Sequence, residues 1–319
     1  MNGDRISGRR GRPRTQGGGA DSDVDASAAG AMLGADDFPS FASPTAEPAG
    51  LVAERAEPTA AGERSDAPRR PYTLAIDAGG SGLKASVLDM DEHLVANRVS
   101  VPTPYPLPPN RFIATLAGLV RPLPAYDRVS VGFPGVVREG RILTAPQFVT
   151  DRGLGSRIDP QLVAAWSGFE IADALAAEFG KPTRVANDAD LQGLAVVSGD
   201  GLEFVVTFGT GVGTALFYAG VVVPHLELAH QPFRKGQTYN QQLGGAALRR
   251  IGPKRWRWRV TEALENFRVL TNFDRCYLGG GNSRHLRSSV QAPYAVVDNL
   301  AGIIGGVRLW DDTRSISRR

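Results

Sequence analysis

From residue 71 onward the sequence predicts an α/β protein. Three observations carry that expectation. Short apolar runs of strand length recur, they alternate with segments of helical spacing, and several of them feed directly into glycine-rich turns. Strands that end in glycines, with helices between them, suggest parallel or mixed sheets covered by helices. In chain order, YTLAID (72–77) is an apolar run closed by an acid. KASVLDMDEHLVANRVSV (84–101) reads as two strands around an Asp-Glu turn. NRFIATLAGLV (110–120) has helical spacing, and DRVSVGF (127–133) is a buried strand closed by Pro134 and Gly135. IADALAAEFG (171–180) is a short helix that stops at Gly180, where helix ends favour glycine. A strand TRVA (183–186) and a helix through LQGLAVV follow, then the strand pair EFVVTF (203–208) and GTALFYAG (213–220). Residues 239–252 and 258–270 read as two helices. RCYLGGG (275–281) is a strand running into glycines, and NLAGIIGGVRLW (299–310) is a closing helix weakened by three glycines. No internal repeat is visible.

The first 70 residues differ. They are rich in Ala, Pro, Gly, Asp, Glu and Ser, and large apolar side chains are few. Such a segment cannot bury enough surface to offset the entropy of ordering it, so a disordered tail is expected. It lacks the apolar stretch of a secretory signal. Met32 is an internal candidate for a later start. The tail carries 9 Lys+Arg and 11 Asp+Glu, the remainder 27 and 22. A mildly basic folded part is compatible with an anionic substrate and equally with an ordinary solvated surface. Cys276 is the only cysteine, so no internal disulfide and no thiolate zinc cluster can form. A cytoplasmic location is the simplest expectation.

One stretch, VVTFGTGVGTALFYAGVVV (205–223), is nineteen residues long and uncharged. Its length permits a membrane span. Alternate glycines at its centre do not suit a lone spanning helix. They suit two strands around a turn whose amides and Thr210 hydroxyl meet phosphate oxygens.

Three glycine turns and one acid hold the chemistry. In D-A-G-G-S-G-L-K (77–84), Gly79, Gly80 and Ser81 follow an acid that ends a strand. Glycine lets the backbone reach φ > 0 and approach a ligand, and successive N–H groups form an anion-binding nest. Asp77 can hold Mg²⁺ directly or through water, and Lys84 can face phosphate. Taken singly, this is equally a glycine hairpin. The second turn is G-T-G-V-G (209–213), with Gly209, Thr210 and Gly211. The third is L-G-G-G-N (278–282), with Gly280 and Gly281, where glycines make room for a nucleobase or a phosphate chain; alternatively it is a tight turn with Asn282 as N-cap. In R-V-A-N-D-A-D-L-Q-G (184–193), Asn187 and Asp188 sit near a helix N-terminus. A carboxylate there is stabilised as the anion and can accept a proton from a hydroxyl that attacks phosphorus. The competing reading of either residue is an N-cap.

Taken in this order, D-A-G-G-S-G-L-K, N-D-A-D, F-G-T-G-V-G and L-G-G-G-N, with E-L-A-H at 227–230, resemble the ROK family of sugar kinases and regulators over residues 72–311. Within it the chain looks most like the polyphosphate glucokinases, which share the G-G-S-G-x-K and T-F-G-T-G-x-G turns, a closing helix like N-L-A-G-I-I-G, and the lack of a cysteine-rich zinc motif. The resemblance implies a two-lobed, actin-like ATPase (ribonuclease-H-like) fold with the active site in the interlobe cleft. It implies a small lobe over 71–192 completed by 298–311, a large lobe over 193–297, and a short tail at 312–319. It places Asp188 on the catalytic base, Asn187, Glu227 and His230 on sugar ligands, and Gly135 on a loop lining the sugar site. Gly79, Gly80, Ser81, Thr210 and Gly211 fall on the phosphate turns, Gly280 and Gly281 near the adenosine or the distal phosphates. The implied reaction is Mg²⁺-dependent transfer of a phosphoryl group from polyphosphate or ATP to the 6-hydroxyl of glucose, by a homodimer. No membrane partner is implied.

Three positions depart from the family pattern. Ala229 stands where glycine is usual, which a left-handed backbone would tolerate badly. Gln231-Pro232 replaces a stretch that often supplies a second glutamate, and Gln147 replaces an asparagine that often meets the sugar. These changes bear on which sugar is bound more than on the chemistry. The segment K-R-W-R-W-R (254–259) reads as a helix start with tryptophans packed inward and arginines solvated. A rail for polyphosphate, or stacking on nucleic-acid bases, is its alternative. A regulator would need a winged helix-turn-helix, which residues 1–70 are too poor in periodic apolar residues to form. A sugar-binding protein without catalysis would not need Asp188.

Overall fold

The computed structural model describes residues 70–153, 155–297 and 301–311. The two tails expected to be disordered, 1–70 and 312–319, lie outside these residues except for Arg70. Strands β1 (Thr73–Ala78), β2 (Gly82–Leu88) and β3 (Val99–Pro102) form an antiparallel meander. Helix α1 (Pro109–Val120) carries the chain to β4 (Arg128–Phe133), parallel to β1. A hairpin, β5 (Val137–Arg138) and β6 (Arg141–Ile142), and helices α2 (Pro160–Trp166) and α3 (Ile171–Phe179) lead to β7 (Thr183–Asn187), parallel to β4. The sheet order is β3-β2-β1-β4-β7.

Helix α4 (Asp188–Leu194) then opens a second sheet. Strands β8 (Leu202–Phe208), β9 (Val212–Tyr218) and β10 (Val221–Val222) again form an antiparallel meander. After the hairpin β11 (Pro232–Arg234) and β12 (Gln237–Thr238) come helices α5 (Tyr239–Leu243) and α6 (Gly245–Thr271). Strand β13 (Arg275–Gly279) lies parallel to β8, and β14 (Tyr294–Val296) parallel to β13. The order is β10-β9-β8-β13-β14, the same wiring as in the first sheet. The chain therefore repeats its architecture although no repeat is visible in its residues. Burial alternation and a glycine turn are all that the wiring demands, and many sequences supply them.

Local chemistry accounts for most element boundaries. Pro109 sits in the first turn of α1, where its missing N–H costs nothing. Phe112, Leu116, Leu119 and Val120 form its buried stripe. Helix α3 ends at Gly180 in the left-handed conformation (φ 62°), its N–H bonded to the Ala176 carbonyl. The central strand β4 is buried from Val129 through Phe133, as a parallel strand covered on both faces should be. The stretch 205–223 is the β8–β9–β10 meander, and among the described residues no helix is long and apolar enough to cross a membrane. The second strand of 84–101 forms only at β3; residues 89–98 are a loop in which Leu94 and Val95 stay exposed.

The α5–α6 region corrects two expectations. The break between helices falls at Gly244, and a kink at Gly252 (φ 77°, ψ 162°) is followed at once by Pro253. The second helical segment thus begins five residues before 258, because proline suits a first turn and glycine the strained residue before it. Of its two tryptophans only Trp256 packs inward, donating its indole N–H to the Leu243 carbonyl (2.7 Å) and meeting Phe208 edge-on. Trp258 is exposed, with the Arg234 guanidinium 4.9 Å from its ring centre.

Helix α7 (Ala301–Arg308) joins the two halves. Its glycines are contact points rather than weaknesses. A Cβ on Gly305 would lie 1.7 Å from the Leu191 carbonyl oxygen of α4, and one on Gly306 would lie 2.8 Å from Ala75 Cβ of β1. Ser130 on β4 donates to the Gly306 carbonyl, and Trp310 donates to Ser130 Oγ. On its other side α4 meets β9, where a Cβ on Gly193 would strike the Phe217 ring at 2.2 Å.

Candidate active site

Every residue assigned a catalytic, sugar or phosphate role from the sequence lines one cavity of about 460 Å³, whereas Ala229, Asn282 and residues 254–259 do not. One side is built from matching corners of the two sheets. The β1–β2 turn and the β8–β9 turn meet there, with Ser81 Oγ 2.6 Å from Thr210 Oγ1. The first turn is braced from behind: Thr103 Oγ1 donates to the Gly79 carbonyl and the Tyr105 hydroxyl to the Gly80 carbonyl. The second is braced by the start of α6, where the Gly245 N–H reaches the Gly209 and Thr210 carbonyls, and by Asn240 Oδ1, which accepts from the Val212 N–H.

The glycines of these two turns do not have positive φ, contrary to expectation; Gly80 and Gly213 are there for space, whereas Gly209 faces open space. A Cβ on Gly80 would fall 1.5 Å from Gln147 Oε1. In the third turn Gly280 does need its freedom, with φ of 80° and a hypothetical Cβ 2.5 Å from the Phe208 carbonyl oxygen. Gly281 faces open space. Asn282 does not cap the short turn after it with its side chain. Its Nδ2 donates to the Gly209 carbonyl and ties the third turn to the second.

Elsewhere on the wall, β7 delivers Asn187 and Asp188 to the cavity at the start of α4. Asn187 is both cap and lining residue. Its Oδ1 accepts from the Ala189 N–H (2.7 Å) and its Nδ2 donates to the Gly135 carbonyl (3.0 Å), which leaves one amide hydrogen for a ligand. Gly135 has no room for a side chain, since a Cβ would lie 2.1 Å from the Thr144 carbonyl oxygen. Ala229 sits in a short 3-10 turn at negative φ with its methyl buried, so the departure from glycine costs nothing here. Gln147 lines the cavity, and its buried Oε1 accepts no hydrogen bond.

Electrostatics set the acid apart. Burial pushes the Asp188 carboxyl up to about 7; the negative charges of Asp77 and Glu227 add to this, and His225 and the Ala189 N–H oppose it. Asp77 in turn pairs with Lys84 (Oδ2 to Nζ 2.9 Å), so the lysine expected to face phosphate rests on the carboxylate and can serve both. Glu227 lies between two imidazoles, His225 Nε2 and His230 Nε2, each 3.8 Å away. Burial raises the Glu227 carboxyl, but those two rings outweigh it and hold it below the ordinary range.

Sequence reasoning missed Thr207, Gln192 and Asn240, all on the cavity wall, and the buried pair His225–Asp190 behind Glu227. Thr207, Gln192 and Asp190 lie inside motifs that were read, but the partner of Asp190, His225, is 35 residues away. Asn240 carries no local signal.

Residues 73–223 match the sequence profile of the ROK family. The chain is 29% identical over 262 residues to a polyphosphate glucokinase of Mycobacterium tuberculosis, covering 76% of this chain and 92% of that one. Among solved structures it resembles an inorganic polyphosphate/ATP-glucomannokinase from Arthrobacter sp. strain KM, with TM-score 0.64, 26% identity, and coverage of 75% of this chain and 98% of that one. It shares its fold with a ROK family glucokinase from Streptomyces griseus solved with glucose and AMPPNP, with TM-score 0.56, 18% identity, and coverage of 75% and 98%. The fold is therefore the two-lobed, actin-like one, with a ROK family domain matched over residues 73–223.

Proposed function

We infer that this chain is a hexokinase that transfers a phosphoryl group to the 6-hydroxyl of glucose or a closely related hexose, with polyphosphate as its preferred donor. The observation that carries this reading is Asp188. It stands at a helix start on the floor of the cavity, opposite two facing glycine turns, with a carboxyl tuned close to neutrality. A base works best when its pKa lies near the working pH. The Asp188 carboxylate takes the hydroxyl proton, the freed oxygen attacks the terminal phosphorus, and the bond to the leaving phosphate breaks with its electron pair on the departing oxygen. The backbone N–H groups of the two turns, the Ser81 and Thr210 hydroxyls and Lys84 receive the charge of the donor. Asn187, Glu227 and His230 orient the sugar, and closure of the two halves excludes water.

The residues suit Mg²⁺. Asp77 offers a carboxylate at the cavity wall, while among the described residues no three acidic, histidine or cysteine side chains gather closely enough to hold a metal by themselves. Mg²⁺ at Asp77, direct or through water, would share its ligands with donor phosphates and neutralise their charge.

Preference for a long polyanion is supported by α6. Burial, then the charges of Arg234, Arg250 and Arg255, hold the Arg259 guanidinium below its ordinary value, against only Glu262 in the opposite sense. Such a concentration of cations along α6, whose first residue braces the second turn, would favour a chain of phosphates over a single nucleotide. The test is glucose 6-phosphate formation with Mg²⁺, comparing polyphosphate with ATP. Faster turnover on polyphosphate is expected; activity with ATP alone overturns the donor assignment, and none with either donor overturns the reaction. In the double variant R255E/R257E, KM for long polyphosphate should rise roughly fivefold while KM for ATP stays within about twofold. Equal changes would remove α6 from the donor path.

A further inference from the structure

His225 belongs to no motif read from the sequence, yet its side chain is almost fully enclosed beside the site. Its side chain is 4% exposed and Asp190, on α4, is 10% exposed. Nδ1 lies 2.9 Å from Asp190 Oδ1. Nε2, on the other side of the ring, is buried without a hydrogen-bond partner and points along the 3.8 Å gap to Glu227 Oε1. An unmade bond at a buried imidazole nitrogen is costly unless something completes it. The Glu227 carboxylate stands ready as an acceptor, and it lines the cavity while His225 does not.

The charged groups around the ring are few. Helix α4 presents Asp190 and, farther off, Asp188; the segment after β10 presents Glu227, with His230 beyond it. Burial lowers the His225 imidazolium, but the bond to Asp190, the proximity of Glu227 and the charges of both carboxylates more than offset this and raise it to about 10. Burial also pushes Asp190 up while His225 pulls it back, so the pair keeps its proton through neutral pH whichever atom carries it.

We propose that His225 is a positioning residue for sugar binding: anchored through Nδ1 on Asp190, it uses Nε2–H to hold the Glu227 carboxylate in place for the sugar hydroxyls. This rests on the hexokinase reading of the cavity. The ring has two distinct functions at its two nitrogens, and substitutions can separate them. The amide nitrogen of asparagine lies two bonds from Cβ, like Nδ1, and that of glutamine three bonds away, like Nε2. H225N therefore keeps the donor toward Asp190 and loses the one toward Glu227; H225Q does the reverse.

The experiment compares H225N and H225Q in the full chain, with thermal melting to confirm that both fold. In H225N, KM for glucose should rise about tenfold with kcat within about threefold, a change equivalent to about 1.4 kcal/mol. In H225Q it should stay within about threefold of the parent. A normal H225N with a defective H225Q would mean that the ring only satisfies Asp190, and equal effects in both would likewise overturn the proposal. A second measurement does not depend on either variant folding or on catalysis. Histidine ring titration by NMR should show His225 losing affinity for its proton in E227Q, and an unchanged titration overturns the coupling. Failure of the parent enzyme to phosphorylate glucose would sink the hexokinase reading alone, since the ring titration still decides the contact with Glu227.

Discussion

Asp188→Asn should lower kcat by about 10²–10⁴ while leaving the affinity for glucose within a few-fold. The amide keeps the size of the side chain and its place at the start of α4 but cannot take a proton. Calorimetric sugar titration beside steady-state turnover separates the two effects, and near-normal turnover in a folded variant would remove the residue from the reaction. The parent should show the same group in its pH profile. With the carboxyl held near 7 by burial and by Asp77 and Glu227, kcat/KM should fall about tenfold per pH unit below that value and level off above it. Stability should run the other way. A carboxyl whose folded pKa is raised binds its proton more tightly in the native state than in the unfolded chain, whose aspartates titrate near 3.9. Its contribution is fully present below the unfolded value and is lost as pH climbs through the folded one. Asp188→Asn should therefore melt at a higher temperature than the parent above pH 7, and no gain there would show that the carboxyl is not strained by its surroundings.

Gly305→Ala should be nearly as damaging by a different route. The added methyl would lie 1.7 Å from the Leu191 carbonyl oxygen, a backbone atom that cannot swing aside. Helices α4 and α7 must then move apart, at a cost of roughly 1–3 kcal/mol for overpacking. In a domain of this size that corresponds to a fall in Tm of about 2–4 °C per kcal/mol. Because α4 begins at Asp188, the displacement should also lower kcat, whereas an alanine at Gly118, which meets no atom within 4 Å, should leave both quantities near those of the parent. A normal Tm for Gly305→Ala would mean that α7 does not pack on α4 as described.

Much of the site was legible because its chemistry is local. Asp77, Gly79, Gly80 and Ser81 are consecutive or nearly so, as are Gly209, Thr210 and Gly211, and each group announces a strand-turn unit without reference to the rest of the chain. What could not be read depends on distant partners. Gly305 and Gly306 look like flaws in a helix until Leu191 and Ala75 stand against them. His225 looks like any histidine until α4 turns Asp190 toward it. The conformation of Ala229 was misjudged for a related reason: the motif suggests a left-handed residue, and only the 3-10 turn shows that a methyl fits. The doubling of the sheet escaped notice because a hydrogen-bonded ladder constrains the pattern of burial far more than the identity of side chains.

The contact between Ser81 and Thr210 has a consequence for donor capture. Each hydroxyl can give one hydrogen, but in the pair only one hydrogen is used, so the closed turns hold a single bond where two could be made. A phosphate oxygen only accepts. Arriving between the turns, it can draw a hydrogen from each hydroxyl and so converts one neutral bond into two charge-assisted ones. The pair of turns is thus a clasp fastened by its own weaker bond, which a phosphate oxygen between them would exchange for two stronger ones.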